Sequence, residues 1–468
     1  MAVRRYAARL MADRFTVLVM AAGKGTRMRS SLPKVLHPVL GKPMAQWVFE
    51  AARAAGADRV LCVTRPGDGV AEGLPADVGV VEQTSGEGTG AAVLAARGAV
   101  DPDATLVILS GDQPLIPAAL ISELVETHRA EDAGATLLTT ESLDPAGLGR
   151  IVRTADGSVE RIVETKSADG VSAEDLAIRE VNLGTYAFDA GALFAALERV
   201  GVADGEIYLT GVFPLLQADG RRIASSLTED VTSAMGVNSK ADLMEIERLA
   251  QRRVLEGHAL NGVSFLAPDT VRVEAGVRIG GDSTIGPGVT LRGATTIGAG
   301  CEIGPQTTIT DSELGDGATC VHSFLTEAKV EAGASVGPFA YLRPGAHIGA
   351  GAKIGTFVEV KNSEIGAGAK VPHLSYLGDA DVGDGANVAA GNVTANYDGF
   401  EKHRTTIGKG ARTGVNTSLV APVTVGDGAY IGAGSVISED VPPGALGISR
   451  PEQKNVDGYA ERIERERG

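Results

Sequence analysis

The apolar run Phe15–Met20 leads into Ala21-Ala-Gly-Lys-Gly-Thr-Arg-Met28, and Leu32-Pro-Lys-Val35 comes next. A glycine-rich turn after a strand aims backbone N–H groups at an anion. Arg27 and Lys34 place two cations just beyond that cradle, so the chemistry indicated is phosphate binding. Asp112, in Leu109-Ser-Gly-Asp-Gln-Pro-Leu115, ends a later apolar run, and Asn238 lies in Gly236-Val-Asn-Ser239. A second set lies far downstream. Arg343 and Lys361 are 18 residues apart, and His373 comes 12 later. Two cations suit a phosphate, and an imidazole accepts a proton near neutral pH.

Two kinds of element must position these groups. In the first half, apolar runs at 15–20, 59–64, 78–81 and 104–109 alternate with helical stretches at 44–55, 88–99 and 117–130. That order predicts an α/β, Rossmann-like domain with a mostly parallel sheet, with ligands beyond the strand carboxyl ends. In the second half the apolar residue recurs every sixth position. Val273, Ile279, Ile285, Leu291, Ile297, Ile303 and Ile309 open the series, which runs with slips to Ile437. Half of the 62 glycines lie between 271 and 440. Period six is the hexapeptide signature of a parallel β-helix, here of about nine coils. Ser312–Lys329 and Ala395–Thr406 break step and are expected to leave the solenoid as loops. The expected organisation is an extension over 1–13, an α/β domain over 14–238, a linker helix over 239–258, a β-helix over 259–451 and a charged tail over 452–468.

Composition excludes several classes. The 468 residues carry 43 Lys+Arg against 59 Asp+Glu, a net charge of −16, which argues against a general nucleic-acid binder. Aromatics are 4% and there is one Trp, too few for base-stacking platforms. Three cysteines, Cys62, Cys301 and Cys320, form neither a disulfide framework nor a zinc pattern. The longest uncharged apolar stretch, Phe15–Gly23, is too short to span a bilayer, and no signal peptide is evident. A cytoplasmic location is expected.

The pairing of GKGTRM with Pro33-Lys34 resembles the sugar-phosphate nucleotidylyltransferase signature. Asp112 and Asn238 resemble that family's magnesium-side residues. Gln83 and Gly88-Thr89-Gly90 resemble its uracil-reading segment. Gly149, Glu164 and Asn182 resemble its sugar-binding positions, in the N-acetylglucosamine-1-phosphate subgroup. The hexads resemble the left-handed β-helix of acetyltransferases, which form trimers. Arg343, Lys361, His373, Tyr376, Asn396 and Tyr397 resemble a glucosamine-1-phosphate acetyltransferase site. Over residues 14–460, in order, the chain is similar to the bifunctional uridylyltransferase/glucosamine-1-phosphate acetyltransferase family.

That resemblance implies two reactions. The second half would acetylate glucosamine-1-phosphate from acetyl-CoA, and the first would transfer uridylyl from UTP with Mg2+, releasing pyrophosphate. The product, UDP-N-acetylglucosamine, would feed peptidoglycan and other envelope polymers. Arg27 and Lys34 would act in uridylyl transfer, with Met20, Ala21, Ala22, Gly23, Gln83, Gly88, Thr89, Ser110, Gly111, Gly149, Glu164, Asn182 and Asn238 binding substrate. His373 would be the acetyl-transfer base, with Glu359 a second candidate. Arg343, Lys361, Tyr376 and Asn387 would hold the amino sugar. Ala390, Asn396, Tyr397, Val415, Ala433 and Arg450 would meet acetyl-CoA, and Asn396 would orient His373 or contact the thioester. Val415 departs from the family's serine and offers no hydroxyl. Two other readings stay open: a pyrophosphorylase whose β-helix only trimerises or regulates, and a non-catalytic assembly protein.

Overall fold

The computed structural model describes residues 15–468 except 156, 166–170 and 204. The expected 1–13 extension lies outside the described residues. The chain divides into two compact units, one ending at Ala250 and one starting at Gln251.

The first unit is built on a mixed sheet. Its strands are β1 (Phe15–Met20), β2 (Arg59–Thr64), β3 (Gly79–Glu82), β4 (Thr105–Ser110), β5 (Ala135–Thr140), β6 (Arg150–Arg153), β7 (Val159–Val163), β8 (Val181–Asp189) and β9 (Ile223–Leu227). The order is β9-β5-β8-β4-β1-β2-β3, with β6 beside β8 and β7 beside β6. β1 pairs in parallel with β2 and β4, as the α/β reading expects. β8 is the departure: it runs antiparallel between β4 and β5. Val17, Leu18 and Val19 of β1 have no solvent exposure, since helices cover both faces and a near-continuous apolar run results. Helices α1 (Met44–Ala54), α2 (Thr89–Ala95) and α3 (Ala118–Ala130) occupy the three helical stretches. Helix α4 spans Lys240–Leu260, in the region expected to form a linker helix over 239–258. Ser239 and Asp242 cap it reciprocally: Asp242 N–H donates to Ser239 Oγ at 3.2 Å, and Ser239 N–H to Asp242 Oδ2 at 2.8 Å.

The second unit is a three-faced parallel β-helix. One face runs from Ser264–Phe265 to Lys370–His373, the next from Arg272–Val273 to Val436–Ile437, and the third from Arg278–Ile279 to Val423–Val425. The second face holds ten strands. The inward residues stack in register, as Val273 on Leu291 and Leu291 on Ile309, and are almost all buried. Ser312–Lys329 is not the expected loop. It stays in the coil, with Glu313–Leu314, Thr319–Cys320, Phe324–Thr326 and Lys329–Val330 all paired. The slips there are five-residue steps, each turned through one left-handed residue: Asp311, His322 and Glu327. Asn362 and Asp379 turn the later five-residue steps in the same way. Of the 395–406 segment only residues 396–404 leave: Ala395 pairs with Val420, Thr405 and Thr406 pair with Ala380 and Asp381, and the stretch between holds the Tyr397–Lys402 bridge.

Candidate functional sites

β1 ends at Met20, and the turn after it opens a cleft of about 520 Å³ at the strand carboxyl ends. Met20, Ala21, Ala22, Gly23, Lys34, Gln83, Gly88, Thr89, Ser110, Asp112 and Glu164 all line it. Lys34 Nζ pairs with Asp112 Oδ2 and donates to Asn238 Oδ1 at 3.3 Å. Arg27 donates to the same Asn238 oxygen at 2.9 Å. Asn238 is fixed from behind, because its N–H donates to Asp242 Oδ2 at 2.9 Å. Thus a carboxylate and an amide oxygen, brought from β4 and from the start of α4, converge on one cation. Two hard oxygens plus substrate phosphates are a normal Mg2+ donor set, so the residues present fit that ion.

The remaining expected positions support the cleft without all facing it. Gly111 N–H donates to Met20 O at 3.0 Å, and a Cβ there would meet that same oxygen. Asn182 N–H donates to the carbonyl of Gly149 at 2.9 Å, and its side-chain amide donates to the Tyr186 hydroxyl at 2.7 Å. Tyr186 lines the cleft, and burial pushes its hydroxyl well above the usual phenol range, far from use as a base at neutral pH. Gly88 has φ +95, and a Cβ would come 2.6 Å from the Ile207 carbonyl, so only glycine fits. Sequence reasoning missed Lys24, Arg65, Glu87, Glu206, Tyr208 and Thr210 in this lining.

In the β-helix the expected residues separate by face. Tyr341, Glu359 and Tyr376 stack on the second face, and Arg343 and Lys361 come just after them in adjacent coils. Arg343 donates to Glu359 Oε1 at 2.9 Å, so Glu359 is held as an ion-pair partner. Gly378 leaves room for the Tyr376 ring: a Cβ would come 2.3 Å from its hydroxyl. His373 ends the first face, opposite Thr356. Asn387 bridges Lys370 and Arg412 on that same face.

His373, Ala390, Val415 and Ala433 occupy one corner of successive coils, between the first and second faces. Their backbones link upward: Gly391 N–H donates to His373 O, Asn416 to Ala390 O and Gly434 to Val415 O. Arg450 donates to Ala433 O at 3.1 Å. Tyr397 is exposed in the excursion, with its hydroxyl on Gly399 O. Asn396 does not orient His373 through its amide N–H: Nδ2 donates to Asp379 Oδ2 at 2.5 Å. The reason is the left-handed corner, which turns Asp379 toward Asn396 and also toward Asn362 (2.6 Å) and Lys361 (3.9 Å). Burial raises the Asp379 carboxyl, but the two amides and the Lys361 and Lys402 cations outweigh it and hold it below the usual range. Lys402, from the excursion, lies beside Lys361, and that hydrogen bond and charge lower its pKa. Asp379 and Lys402 were not found in the sequence, for they belong to no local pattern. Among the described residues no three His, Cys, Asp or Glu side chains group to hold a metal, and no helix is long and apolar enough to cross a membrane.

A nucleotide-sized cleft with a cationic phosphate cradle, and a hexapeptide solenoid with an imidazole and clustered cations, define a two-headed transferase. The comparisons agree. Residues 17–173 match the MobA-like NTP transferase domain, and 273–311 and 404–439 match the bacterial transferase hexapeptide (six repeats). The bifunctional protein GlmU of Mycobacterium tuberculosis (strain ATCC 25177 / H37Ra) is 46% identical over 458 residues, covering 95% of this chain and 92% of that one. That of Kineococcus radiotolerans is 47% identical over 451 residues, covering 95% and 91%. The chain belongs to the bifunctional GlmU family. It is a uridylyltransferase and acetyltransferase of UDP-N-acetylglucosamine synthesis.

Proposed function

We propose that the first-unit cleft carries uridylyl transfer and the His373 corner carries acetyl transfer. The observation that carries the first assignment is the convergence of Arg27, Lys34, Asp112 and Asn238 at the mouth of the glycine-rich turn. An oxygen of N-acetylglucosamine-1-phosphate attacks the α-phosphorus of UTP, and pyrophosphate leaves. The attacking phosphate is already ionised, so the residues orient anions and offset charge instead of moving a proton. Asp112 and Asn238 would hold Mg2+, which supplies charge neutralisation for the phosphates when bound. Lys34 and Arg27 steady the same phosphates.

In acetyl transfer the amine of glucosamine-1-phosphate attacks the thioester carbonyl of acetyl-CoA, and the CoA thiolate leaves. His373 Nε2 or Nδ1 takes the amine proton and returns it to the thiolate. Arg343 and Lys361 hold the sugar phosphate, with Tyr376 and Asn387 on the sugar. The corner Ala390–Val415–Ala433, with Asn396, Tyr397 and Arg450, forms the CoA track. Val415 offers no side-chain hydrogen bond, and its carbonyl is taken by Gly434.

The β-helix works as a trimer in the cytoplasm. Supporting the trimer, His322, Phe339 and Phe357 form a ring ladder along one corner, with Phe339–Phe357 centroids 5.4 Å apart. Phe339 is 54% exposed, Phe357 57% and the adjoining Leu374 62%. A contiguous exposed apolar column of this kind is a contact surface. Sedimentation at micromolar protein reads the trimer directly, and a monomer there removes it.

The assay for both assignments supplies glucosamine-1-phosphate, acetyl-CoA, UTP and Mg2+ and follows CoA thiol and pyrophosphate separately. Asp112→Ala should abolish Mg2+-dependent pyrophosphate release and leave thiol release near normal. Mg2+-dependent pyrophosphate release that survives in Asp112→Ala overturns the assignment, while equal loss of both activities marks a folding defect, which Asp112→Asn then separates from loss of the site.

A further inference from the structure

Arg65 stands at the carboxyl end of β2, where its N–H donates to Asp68 Oδ2 at 2.9 Å. Its side chain reaches two separate segments of the cleft. Nε donates to the carbonyl of Ala22, in the glycine-rich turn, at 2.6 Å. The guanidinium then forks onto Glu87, with NH1 to Oε1 at 3.2 Å and NH2 to Oε2 at 2.6 Å. Lys24 approaches the same carboxylate at 3.5 Å.

Glu87 immediately precedes Gly88-Thr89. Its own backbone is fixed, since Ile207 N–H donates to its carbonyl at 2.9 Å. The loop is closed from the other end by Gln83, whose Nε2 donates to Gly86 O at 3.0 Å. Arg65, Glu87, Lys24 and Ala22 all line the cleft. An exposed ion pair alone contributes little. A bidentate fork with a third bond to a fixed carbonyl is a different case, because it sets geometry as well as energy.

We propose that Arg65 and Glu87 are positioning residues for uridylyl transfer, clipping the phosphate cradle to the base-side loop and fixing the reach between the two ends of bound UTP. This rests on the assignment of the cleft to UTP. The clip also fixes the charge at the mouth. Glu87 offsets the charge of Arg65 and Lys24, as Asp112 offsets that of Lys34. The Arg65 hydrogen bonds hold the Glu87 carboxyl down to about 2, so the clip stays charged across the working pH range.

The test is steady-state uridylyl transfer by the full-length protein, with Glu87→Gln and Arg65→Lys. Each keeps size and removes the fork. KM for UTP should rise on the order of tenfold, the loss expected for a charge-assisted pair. The value of kcat should change less than roughly threefold, because the atoms at the reacting phosphorus are untouched. KM for N-acetylglucosamine-1-phosphate and the acetyl-transfer rate should not move. A merely structural role would lower the melting temperature and change both KM values together, which overturns the proposal. So does an unchanged KM for UTP in both variants. A lower KM in Glu87→Gln overturns it too, for it would make the freed Arg65 a direct triphosphate ligand. Lys34→Ala is run alongside: if it keeps uridylyl transfer, the cleft assignment itself fails, whatever the two clip variants do.

Discussion

The His373 ring has no hydrogen-bond partner among the described residues, while its carbonyl accepts from Ser375 Oγ at 2.8 Å. The backbone is held and the imidazole is exposed. Glu359, the rival base, is occupied by Arg343. With His373 as the proposed proton acceptor, His373→Ala should lower acetyl transfer roughly 10²–10⁴-fold, the span of a lost general base. Glucosamine-1-phosphate binding, read by calorimetry, should hardly change, because Arg343 and Lys361 remain. Near-normal thiol release in this variant would return the role to Glu359 or to water. At this scale the sequence exposes residues inside local motifs, such as Lys34, Asp112 and His373. It hides Arg65, Glu87, Asp379 and Lys402, whose partners are distant in the chain and close only after folding.

At the scale of elements, period six carried the solenoid because each inward residue must stack on its counterpart one coil below. The lengths of the corners were not legible. A missing residue and an inserted loop both appear as a slip, and only backbone conformation separates them. Asp311, His322 and Glu327 absorb the first kind in left-handed turns, whereas 396–404 bulges out. The antiparallel direction of β8 was hidden for a similar reason, since buried parallel and antiparallel strands share the same apolar run. The tight coil has a consequence for the base. A Cβ on Gly355 would stand 1.9 Å from the Pro372 carbonyl, one residue before His373. Gly355→Ala must displace that strand, at a cost of roughly 1–3 kcal/mol for overpacking. A lowered β-helix melting transition and reduced acetyl transfer should appear together, with uridylyl transfer intact. An unchanged melt and an unchanged thiol assay would show that the coil yields there freely.

At the scale of the whole molecule, the −16 net charge means that anionic substrates are captured by local cations, each cluster built within one unit. The two activities should then be separable, and the structure says where to cut. The expected first domain ends at residue 238, before the linker helix, but the backbone of Asn238 is anchored by the first turn of α4. Asp242 Oδ2 accepts from both Asn238 and Ser239. Burial raises the Asp242 carboxyl, but these bonds outweigh it and hold it below the usual range. That carboxylate also sits at the amino end of α4, where negative charge is stabilised. A fragment of residues 15–250 keeps the cap, whereas one of 15–238 ends on an unheld Asn238. Both should fold, because the sheet and its core lie before residue 228. The longer fragment should make UDP-N-acetylglucosamine at close to the full-length rate. The shorter one should need several-fold more Mg2+ for half-maximal rate, on the scale of a lost cap of about 1 kcal/mol. Neither should release CoA thiol. Matching Mg2+ titrations for the two fragments would mean that the cap does not position Asn238, and an inactive but folded longer fragment would mean that uridylyl transfer needs the β-helix.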